Sequence, residues 1–370
     1  MKILFVVEHY YPYIGGAEEL WKSLAESLLN NGFEVKVITT LFKSKLPAKE
    51  VIGGVEVIRL KVGNRFGFTL LSIPSCVKWA KWADIIHTSS YNAALPARFA
   101  AWISRTKSII TFHEVWGRLW FNLPFLSFPE RVAFSLFEKF ILRMKFDCFV
   151  GVSQFTVDCL KEGGVPAKKV SLVYNGLDYG EFENLPVQKE KKFTFCFFGR
   201  PGVSKGLEVL IPAFTELCKE NREVHLKLII SKKPDKVFNW TRRTVEKSDI
   251  SNRVTFLHEL PRKELLKEVA SSAVVVIPSH SEGFCFVAAE SVAMGIPIVS
   301  SGKGALKEVV GGSMIELETL DEESLFYAMK KACKGEWNYL PKRIFPLKVA
   351  THRYQEIYKN LLEKEEPTKS

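Results

Sequence analysis

The sequence predicts an α/β protein made of two doubly wound βα domains in tandem. Short runs rich in β-branched and aromatic residues alternate with helical patterns along the whole chain, and the alternation starts again after a charged segment at 188–192. Several runs are apolar throughout, which is typical of parallel strands covered on both faces by helices. With 370 residues, 47% of them hydrophobic and 25% charged, the chain can bury two cores and lacks the composition of a disordered or fibrous protein.

The first domain opens with a strand, a glycine loop and a helix. An apolar run at 2–8 meets Gly15 and Gly16, and leucines then recur at helical spacing from 20 to 28 until an Asn-Asn-Gly sequence at 30–32 closes the helix. The further strands predicted for this domain lie at 35–40, 55–60, 84–88, 108–112, 148–152 and 170–174.

The second domain repeats this alternation. Its predicted strands lie at 193–198, 224–230, 253–257, 274–278 and 297–300. We therefore expect a first domain at 1–182, completed by a C-terminal helix at about 347–364, and a second domain at 190–346. Ligands of such folds bind outside the carboxyl ends of the strands, so the expected site is a cleft where the two sheet edges face each other.

Composition limits the partners and the compartment. Lys and Arg outnumber Asp and Glu by 52 to 41, which favours an anionic partner; no nucleic-acid motif accompanies that charge, so nucleic acid is not expected. The seven cysteines form no Cys-x-x-Cys pair and indicate reduced thiols of a cytoplasmic protein. No signal peptide and no apolar stretch of ~18 residues is present, which predicts a soluble or surface-attached protein.

A loop rich in glycine and cations follows the first strand of the second domain. Gly199 and Arg200 end that strand, and Lys205 with Gly206 precedes a helix that begins near Leu207. Backbone N–H groups at a helix start, together with two cations, suit a diphosphate. The alternative is an ordinary strand-to-helix turn with solvated charges. A Walker A pattern does not occur in the chain.

The segment 278–290 is the most informative. An apolar strand ends at Pro278, the chain turns at Glu282 and Gly283, and a helix of small residues carries Glu290. Both carboxylates can face one ligand and accept hydrogen bonds from vicinal sugar hydroxyls. The alternative is one solvated loop glutamate and one on a helix surface. The Gly-x-Gly-x-x-Gly fingerprint of dinucleotide dehydrogenases is missing.

These motifs resemble the retaining glycosyltransferases of family GT4. Those enzymes have the GT-B fold, in which two Rossmann-like domains face each other across a cleft. Glu282 to Glu290 matches the Glu-x7-Glu pattern of the family. The similarity extends in family order over nearly the whole chain, through 15–19, 152–153, 173–176, 199–206, 293–300 and 304–309.

The resemblance implies a nucleotide-sugar donor, UDP- or GDP-linked, held mainly by the second domain. It implies that Arg200 and Lys205 bind the diphosphate and stabilise the leaving group. It also implies that Glu282 binds hydroxyls of the transferred sugar and that Glu290 binds the ribose. No other cofactor is implied.

The resemblance assigns roles to further residues. His113, which ends a predicted strand, would face the donor sugar; the alternative is a loop histidine without a ligand. His280 is interpreted as a loop-packing residue. The remaining residues implied in donor binding are Gly15, Gly16, Ser153, Asn175, Leu260 (by its backbone), Gly283, Phe284, Cys285 and Phe286.

The implied reaction is a front-face transfer with retention, in which the departing phosphate takes the acceptor proton. The chain has no Asp-x-Asp pair and no His/Cys cluster, so a metal is not expected. The acceptor would offer a hydroxyl or phosphate on a glycan or lipid-linked carrier. Two alternatives are a nucleotide-sugar epimerase on the same architecture and a non-catalytic nucleotide-sugar-binding protein.

The segment 116–144 is dense in aromatic residues interspersed with Arg and Lys. One interpretation is docking on an anionic bilayer, which would make the protein peripheral on the inner face of the membrane and bring it to a lipid-linked acceptor. The other is a buried helix whose cations snorkel to solvent. The sequence leaves both open.

Overall fold

The computed structural model describes residues 1–13, 15–183, 185, 188–233 and 235–363, and the chain divides into two compact units. The first comprises Met1–Trp120, Arg131–Leu177 and the C-terminal part from Phe345. The second comprises Phe121–Glu130 and Asp178–Ile344. The predicted ranges differ from these units at 121–130 and 178–182, which belong to the second unit, and at 345–346, which belong to the first.

The first unit contains an eight-stranded sheet in the order β3-β4-β2-β1-β5-β6-β7-β8. Its strands are β1 (Lys2–Val6), β2 (Glu34–Thr40), β3 (Lys49–Ile52), β4 (Val55–Leu60), β5 (Ile85–Ser89), β6 (Lys107–Phe112), β7 (Cys148–Gly151) and β8 (Val170–Leu172). All pairs are parallel except that of β3 with β4 at the edge. The carboxyl ends of the parallel strands therefore share one edge.

Helices cover both faces of this sheet. They are α1 (Gly16–Asn30), α2 (Arg65–Leu71), α3 (Ile73–Ala80), α4 (Ala94–Ser104), α5 (Phe128–Leu142), α6 (Gln154–Glu162) and, from the C-terminal end of the chain, the helix Leu347–Glu363. One core joins Leu4, Val6, Ile38 and Ile86 to Phe68, Cys76, Ala80, Ala97 and Ala101 of α2, α3 and α4. The opposite core joins Ile3, Phe5, Val37 and Ile85 to Leu24 and Leu28 of α1 and to Tyr354 and Tyr358 of the C-terminal helix.

The second unit contains a seven-stranded sheet in the order β11-β10-β9-β12-β13-β14-β15. Its strands are β9 (Phe193–Gly199), β10 (Val224–Ile230), β11 (Val254–Leu257), β12 (Val274–Ile277), β13 (Ile298–Ser300), β14 (Gly312–Glu316) and β15 (Asn338–Leu340). Its helices are α7 (Leu207–Glu220), α8 (Asp235–Glu246), α9 (Arg262–Ala270), α10 (Phe286–Ala293), α11 (Leu306–Val309) and α12 (Glu322–Lys334); the C-terminal helix of the first unit is α13.

The predicted α/β class with two doubly wound sheets is confirmed, and every predicted strand is present. Three strands were missed: β3, β14 and β15. β3 and β15 are antiparallel edge strands, and β15 is exposed along its length, so neither has the apolar run that marks a parallel strand.

Strand order places the candidate site in the second unit. β9 has β10 on one side and β12 on the other, so the connections after β9 and β12 leave the sheet in opposite directions at one edge. Such a switch point is where ligands of doubly wound sheets bind. Among the described residues, no helix combines the length and apolar character needed to cross a bilayer.

Candidate active site

The loops that follow β9 and β12 touch each other at a glycine. Gly206 lies just before α7 with φ 71°, and a Cβ there would stand 1.8 Å from the carbonyl oxygen of Pro278. The backbone N–H of His280 also donates to the carbonyl of Ser204 at 2.7 Å. Only glycine fits this position, so the predicted cation loop and the predicted carboxylate loop are held in direct contact.

Lys205 and Glu282 form an ion pair at this junction. Lys205 Nζ donates to both carboxylate oxygens of Glu282 at 2.8 Å, and Ser279 Oγ donates to Oε1 at 2.7 Å. The carboxylate is 9% exposed. The backbone is fixed as well, because the N–H of Ala305 donates to the carbonyl of Glu282 at 2.8 Å. The structure therefore brings together two residues for which separate roles are predicted.

His280 links the same two loops from the side. Its Nε2 lies 2.6 Å from Glu208 Oε1 in the first turn of α7. This contact agrees with the interpretation of His280 as a loop-packing residue.

The turn from Glu282 into α10 has an unusual backbone. Cys285, the residue before the helix, has φ 76°, a conformation that non-glycine residues rarely adopt and that is often found at functional sites. Burial raises the pKa of its thiol well above the ordinary value, and the charge of Glu282 adds to that shift. Cys285 is therefore a neutral thiol. Gly283, Phe284 and Cys285 are all buried, whereas Phe286 is partly exposed.

Glu290 is buried in α10 and forms a second ion pair. Arg262 Nη2 lies 2.8 Å from Glu290 Oε1, and the Nε and Nη2 groups of the same guanidinium donate to Glu181 Oε2 at 3.0 and 2.9 Å. Burial lowers the pKa of Arg262, but the charges of Glu290 and Glu181 outweigh it and raise that pKa above its usual value. Arg262 begins α9, two residues after Leu260, whose backbone is among the groups implied in donor binding.

Arg262, Glu181 and Ser279 were not predicted to belong to the site. Glu181 lies at the end of the first predicted domain and Arg262 in a charged helix, so neither carries a motif. Arg200 is exposed directly after β9, where Gly199 has φ 127°, and lies at the same sheet edge as Lys205.

The first unit holds two of the predicted residues at its own carboxyl edge. His113 follows β6 and Asn175 follows β8. Within the described part of the chain, His113 Nε2 and Asn175 Oδ1 are buried without a hydrogen-bond partner. Burial lowers the pKa of His113 to about 4, which keeps the ring neutral. Buried polar atoms are seldom left unpaired, so both are candidates to contact a ligand.

The other residues predicted in the first unit are Ser153, Gly15 and Gly16, and the contacts show a structural role for Ser153. Ser153 is fully buried and caps α6, its Oγ accepting the N–H of Thr156 at 3.0 Å. Gly15 precedes α1 with φ 172°, an extended conformation open to any residue, and Gly16 begins that helix. Their backbone angles therefore do not themselves require glycine.

The segment 116–144 is packed in part and exposed in part. Trp120 is 7% exposed and lies against Trp116 and Phe134, with ring centroids at 4.3 and 5.1 Å. Glu138 is buried and accepts the N–H groups of Trp116 and Gly117 at 2.9 and 2.7 Å. However, four large apolar side chains of this segment are exposed, namely Phe121, Phe128, Leu136 and Phe140, and the structure therefore does not decide between the two interpretations.

Two family models match the chain. The model described as Glycosyltransferase Family 4 matches residues 14–181, and the one described as Glycosyl transferases group 1 matches residues 181–314. Their common boundary lies close to the end of the first unit at Leu177.

Relatives and solved structures agree with these matches. The chain is 28% identical to an uncharacterized glycosyltransferase of Methanocaldococcus jannaschii, covering 84% of this chain and 83% of that protein. It is 23% identical to a human protein that is one subunit of phosphatidylinositol N-acetylglucosaminyltransferase, covering 94% and 69%. The structure of sucrose-phosphate synthase from Thermosynechococcus elongatus superposes with a TM-score of 0.81 at 21% identity, covering 98% and 100%. These matches do not favour the epimerase or the non-catalytic binding protein.

Proposed function

Because the chain belongs to glycosyltransferase family 4 and has the GT-B fold, we propose that it transfers a sugar with retention from a nucleotide-sugar to a hydroxyl or phosphate acceptor, without a metal. One observation carries the proposal: two buried carboxylates, eight residues apart on one strand-loop-helix segment, are each paired with a cation. Charges are costly to bury, and a cluster of them at a sheet edge marks a functional site.

The proposed diphosphate contacts are Arg200, Lys205 and the start of α7. Lys205 places a positive charge at this turn, and an ammonium group binds phosphate as a compact point charge. The positive end of the 14-residue helix α7 adds to the same field. As the glycosidic bond breaks, these groups stabilise the charge that develops on the leaving phosphate.

The proposed sugar contact is Glu282. A carboxylate accepts about four hydrogen bonds, and Lys205 and Ser279 supply three of them. Oε2 can therefore accept a further bond from a sugar hydroxyl. Glu290 can offer its second oxygen to the ribose in the same way, since Arg262 binds the first.

His113 and Asn175 are the proposed contacts from the first unit. A neutral imidazole can accept or donate a hydrogen bond to a sugar hydroxyl through Nε2. No enzymatic nucleophile is assigned: the departing phosphate takes the acceptor proton in a front-face transfer. The similarity to a protein named for phosphatidylinositol supports a lipid-linked acceptor.

Thermal unfolding with UDP-, GDP- and ADP-sugars tests the donor assignment. A ligand that binds only the native state raises the melting temperature, so one class of nucleotide-sugar is expected to do so in wild type and much less in Glu282→Gln and Arg262→Gln. Product analysis then separates the activities, because an epimerase changes the sugar without an acceptor. Transfer abolished by EDTA, or no stabilisation by any nucleotide-sugar, would contradict the proposal.

A further inference from the structure

Two adjacent helices of the first unit expose large apolar side chains. Single exposed hydrophobic residues are common on protein surfaces, but clusters mark binding sites. The side chains, with their exposed fractions, are Phe66 (69%), Leu70 (63%) and Leu71 (65%) on α2, and Phe99 (38%), Trp102 (65%) and Ile103 (48%) on α4. We call these six residues the α2–α4 patch.

The two helices belong to one layer. Phe68 of α2 and Ala97 of α4 are buried in the same core, over the same face of the sheet. Thr69 Oγ1 donates to the carbonyl of Asn92, two residues before α4, at 3.1 Å. Because both helices bury one side against one sheet face, their outward sides face away from the sheet together.

The stretch of chain that carries this patch is rich in basic residues. Residues 57–113, which include α2, α3 and α4, contain a single acidic residue, Asp84, and eight basic ones: Arg59, Lys61, Arg65, Lys78, Lys81, Arg98, Arg105 and Lys107. This stretch therefore supplies most of the formal charge of +11 of the whole chain. Of these basic residues, Arg59 is buried and paired with Glu50, so it does not contribute to the surface.

The opposite layer is different. The outward sides of α1 and α13 mix acids with bases, as in the pairs Lys22–Glu26 and Arg353–Glu356. The apolar and basic character is therefore a property of one helix layer and not of the first unit as a whole.

We propose that the α2–α4 patch docks on the surface of an anionic lipid bilayer. The apolar side chains enter the headgroup boundary, and the surrounding Lys and Arg contact lipid phosphates. A second copy of the chain is a less suitable partner, because it would bring two positive surfaces together. This surface differs from the predicted segment 116–144, whose tryptophans are packed.

The patch adjoins the carboxyl edge of the first sheet. Arg65 begins α2, and its Nε lies 3.5 Å from Oε1 of Glu8, which follows β1. A lipid headgroup beside α2 would thus lie next to the sheet edge that carries His113 and Asn175. Docking itself goes beyond the proposed sugar transfer and does not depend on it, because vesicle binding needs neither donor nor acceptor.

Vesicle flotation of the full chain tests the proposal. Wild type is expected to float with vesicles of equal parts phosphatidylcholine and phosphatidylglycerol, to release at high salt, and not to float with phosphatidylcholine alone. The double variant Phe99→Ser/Trp102→Ser is expected to bind at least about tenfold more weakly. The matched control, Tyr339→Ser/Ile344→Ser, removes side chains of 70% and 69% exposure from the second unit and should bind as wild type does.

A second variant, Leu70→Ser/Leu71→Ser on α2, should also weaken binding. Because it changes the other helix of the patch, the test does not depend on one variant folding correctly. The proposal is overturned if wild type fails to float with the anionic vesicles at low salt, or if both patch variants float like wild type. It is also overturned if light scattering shows a wild-type dimer that the patch variants dissociate, since the patch would then join two copies of the chain.

Discussion

The polar groups at the carboxyl edges of the two sheets differ in whether they have hydrogen-bond or ion-pair partners. At the second edge, Lys205 is bound to Glu282 and Arg262 to Glu290. At the first edge, His113 Nε2 and Asn175 Oδ1 are buried without partners among the described residues. The second edge thus holds these charged groups in ion pairs, whereas His113 and Asn175 of the first edge are neutral and lack partners within the described part of the chain. The first edge also carries one ion pair, that of Arg65 with Glu8.

The cost of burial explains the difference. A buried charge without a partner costs several kcal/mol, so the charged groups of the second edge must be paired before a ligand arrives. A neutral polar atom left unpaired costs only about 1 to 3 kcal/mol, which a folded unit can tolerate. The second edge is therefore preorganised for an ionic ligand such as a diphosphate, whereas the first edge can hydrogen-bond neutral hydroxyls.

The largest expected effect comes from breaking the charged edge. Lys205→Met removes the cation proposed to stabilise the leaving phosphate. It also leaves the buried Glu282 carboxylate without its partner cation. We expect kcat for sugar transfer to fall roughly a hundredfold to a thousandfold, about 3 to 4 kcal/mol of barrier. Initial rates at saturating donor measure this effect.

The matched control is Lys330→Met, because Lys330 forms a surface ion pair with Glu220 in the same unit. Surface pairs contribute little, so its rate should equal that of wild type. Equal rates for Lys205→Met and Lys330→Met would show that the charged edge is structural only.

A smaller effect is expected where the two loops of that edge meet. Gly206→Ala places a Cβ 1.8 Å from the Pro278 carbonyl at φ 71°, and we expect it to lower the free energy of unfolding by about 3 kcal/mol. Gly335→Ala has a similar φ of 74° but no atom closer than 4.0 Å, so strain alone should cost about 1 kcal/mol. Urea unfolding measures both values, and equal losses would mean that the loop contact is unimportant.

Much of the fold could be predicted because its signals are local. Apolar runs such as 193–198 and 274–278 mark parallel strands, and each is present as a strand. The antiparallel edge strands could not be found, because an exposed strand such as β15 has no apolar pattern. The grouping of 121–130 with the second unit was missed as well, since it depends on contacts between residues far apart in sequence, such as Phe125 with Trp240.

The site could be predicted only in part. Lys205, Glu282 and Glu290 lie in recognisable motifs, and the structure places each of them in an ion pair whose carboxylate is buried. Arg262 and Glu290 are 28 positions apart in the sequence, and no local sequence pattern predicts their contact. The proposed roles in donor binding remain predictions, because they concern a ligand and not the packing of the chain.

The smallest effect is expected from the buried histidines of the first unit, as a dependence of the free energy of unfolding on pH. Burial lowers the pKa of His87 to about 3, with His113 adding to the shift, and burial lowers that of His113 to about 4. Between pH 6.5 and about 5 the unfolded chain therefore binds protons that the native first unit does not. Stability should fall with falling pH in this window, by about 1.4 kcal/mol per pH unit for each histidine once the pH is well below 6.5.

Urea unfolding of wild type and His113→Gln across this window isolates one of the two groups. His113→Gln retains a polar side chain but cannot titrate, so its slope of stability against pH should be smaller than that of wild type by the share of one histidine. His87 keeps its own share of the slope in the variant, because its ring stays buried and neutral in the native core, where its nitrogens lie against Tyr358 and Thr111. Identical slopes for the two proteins would mean that His113 is protonated as readily in the native state as in the unfolded chain, and the assignment of a neutral His113 at the first edge would then be wrong.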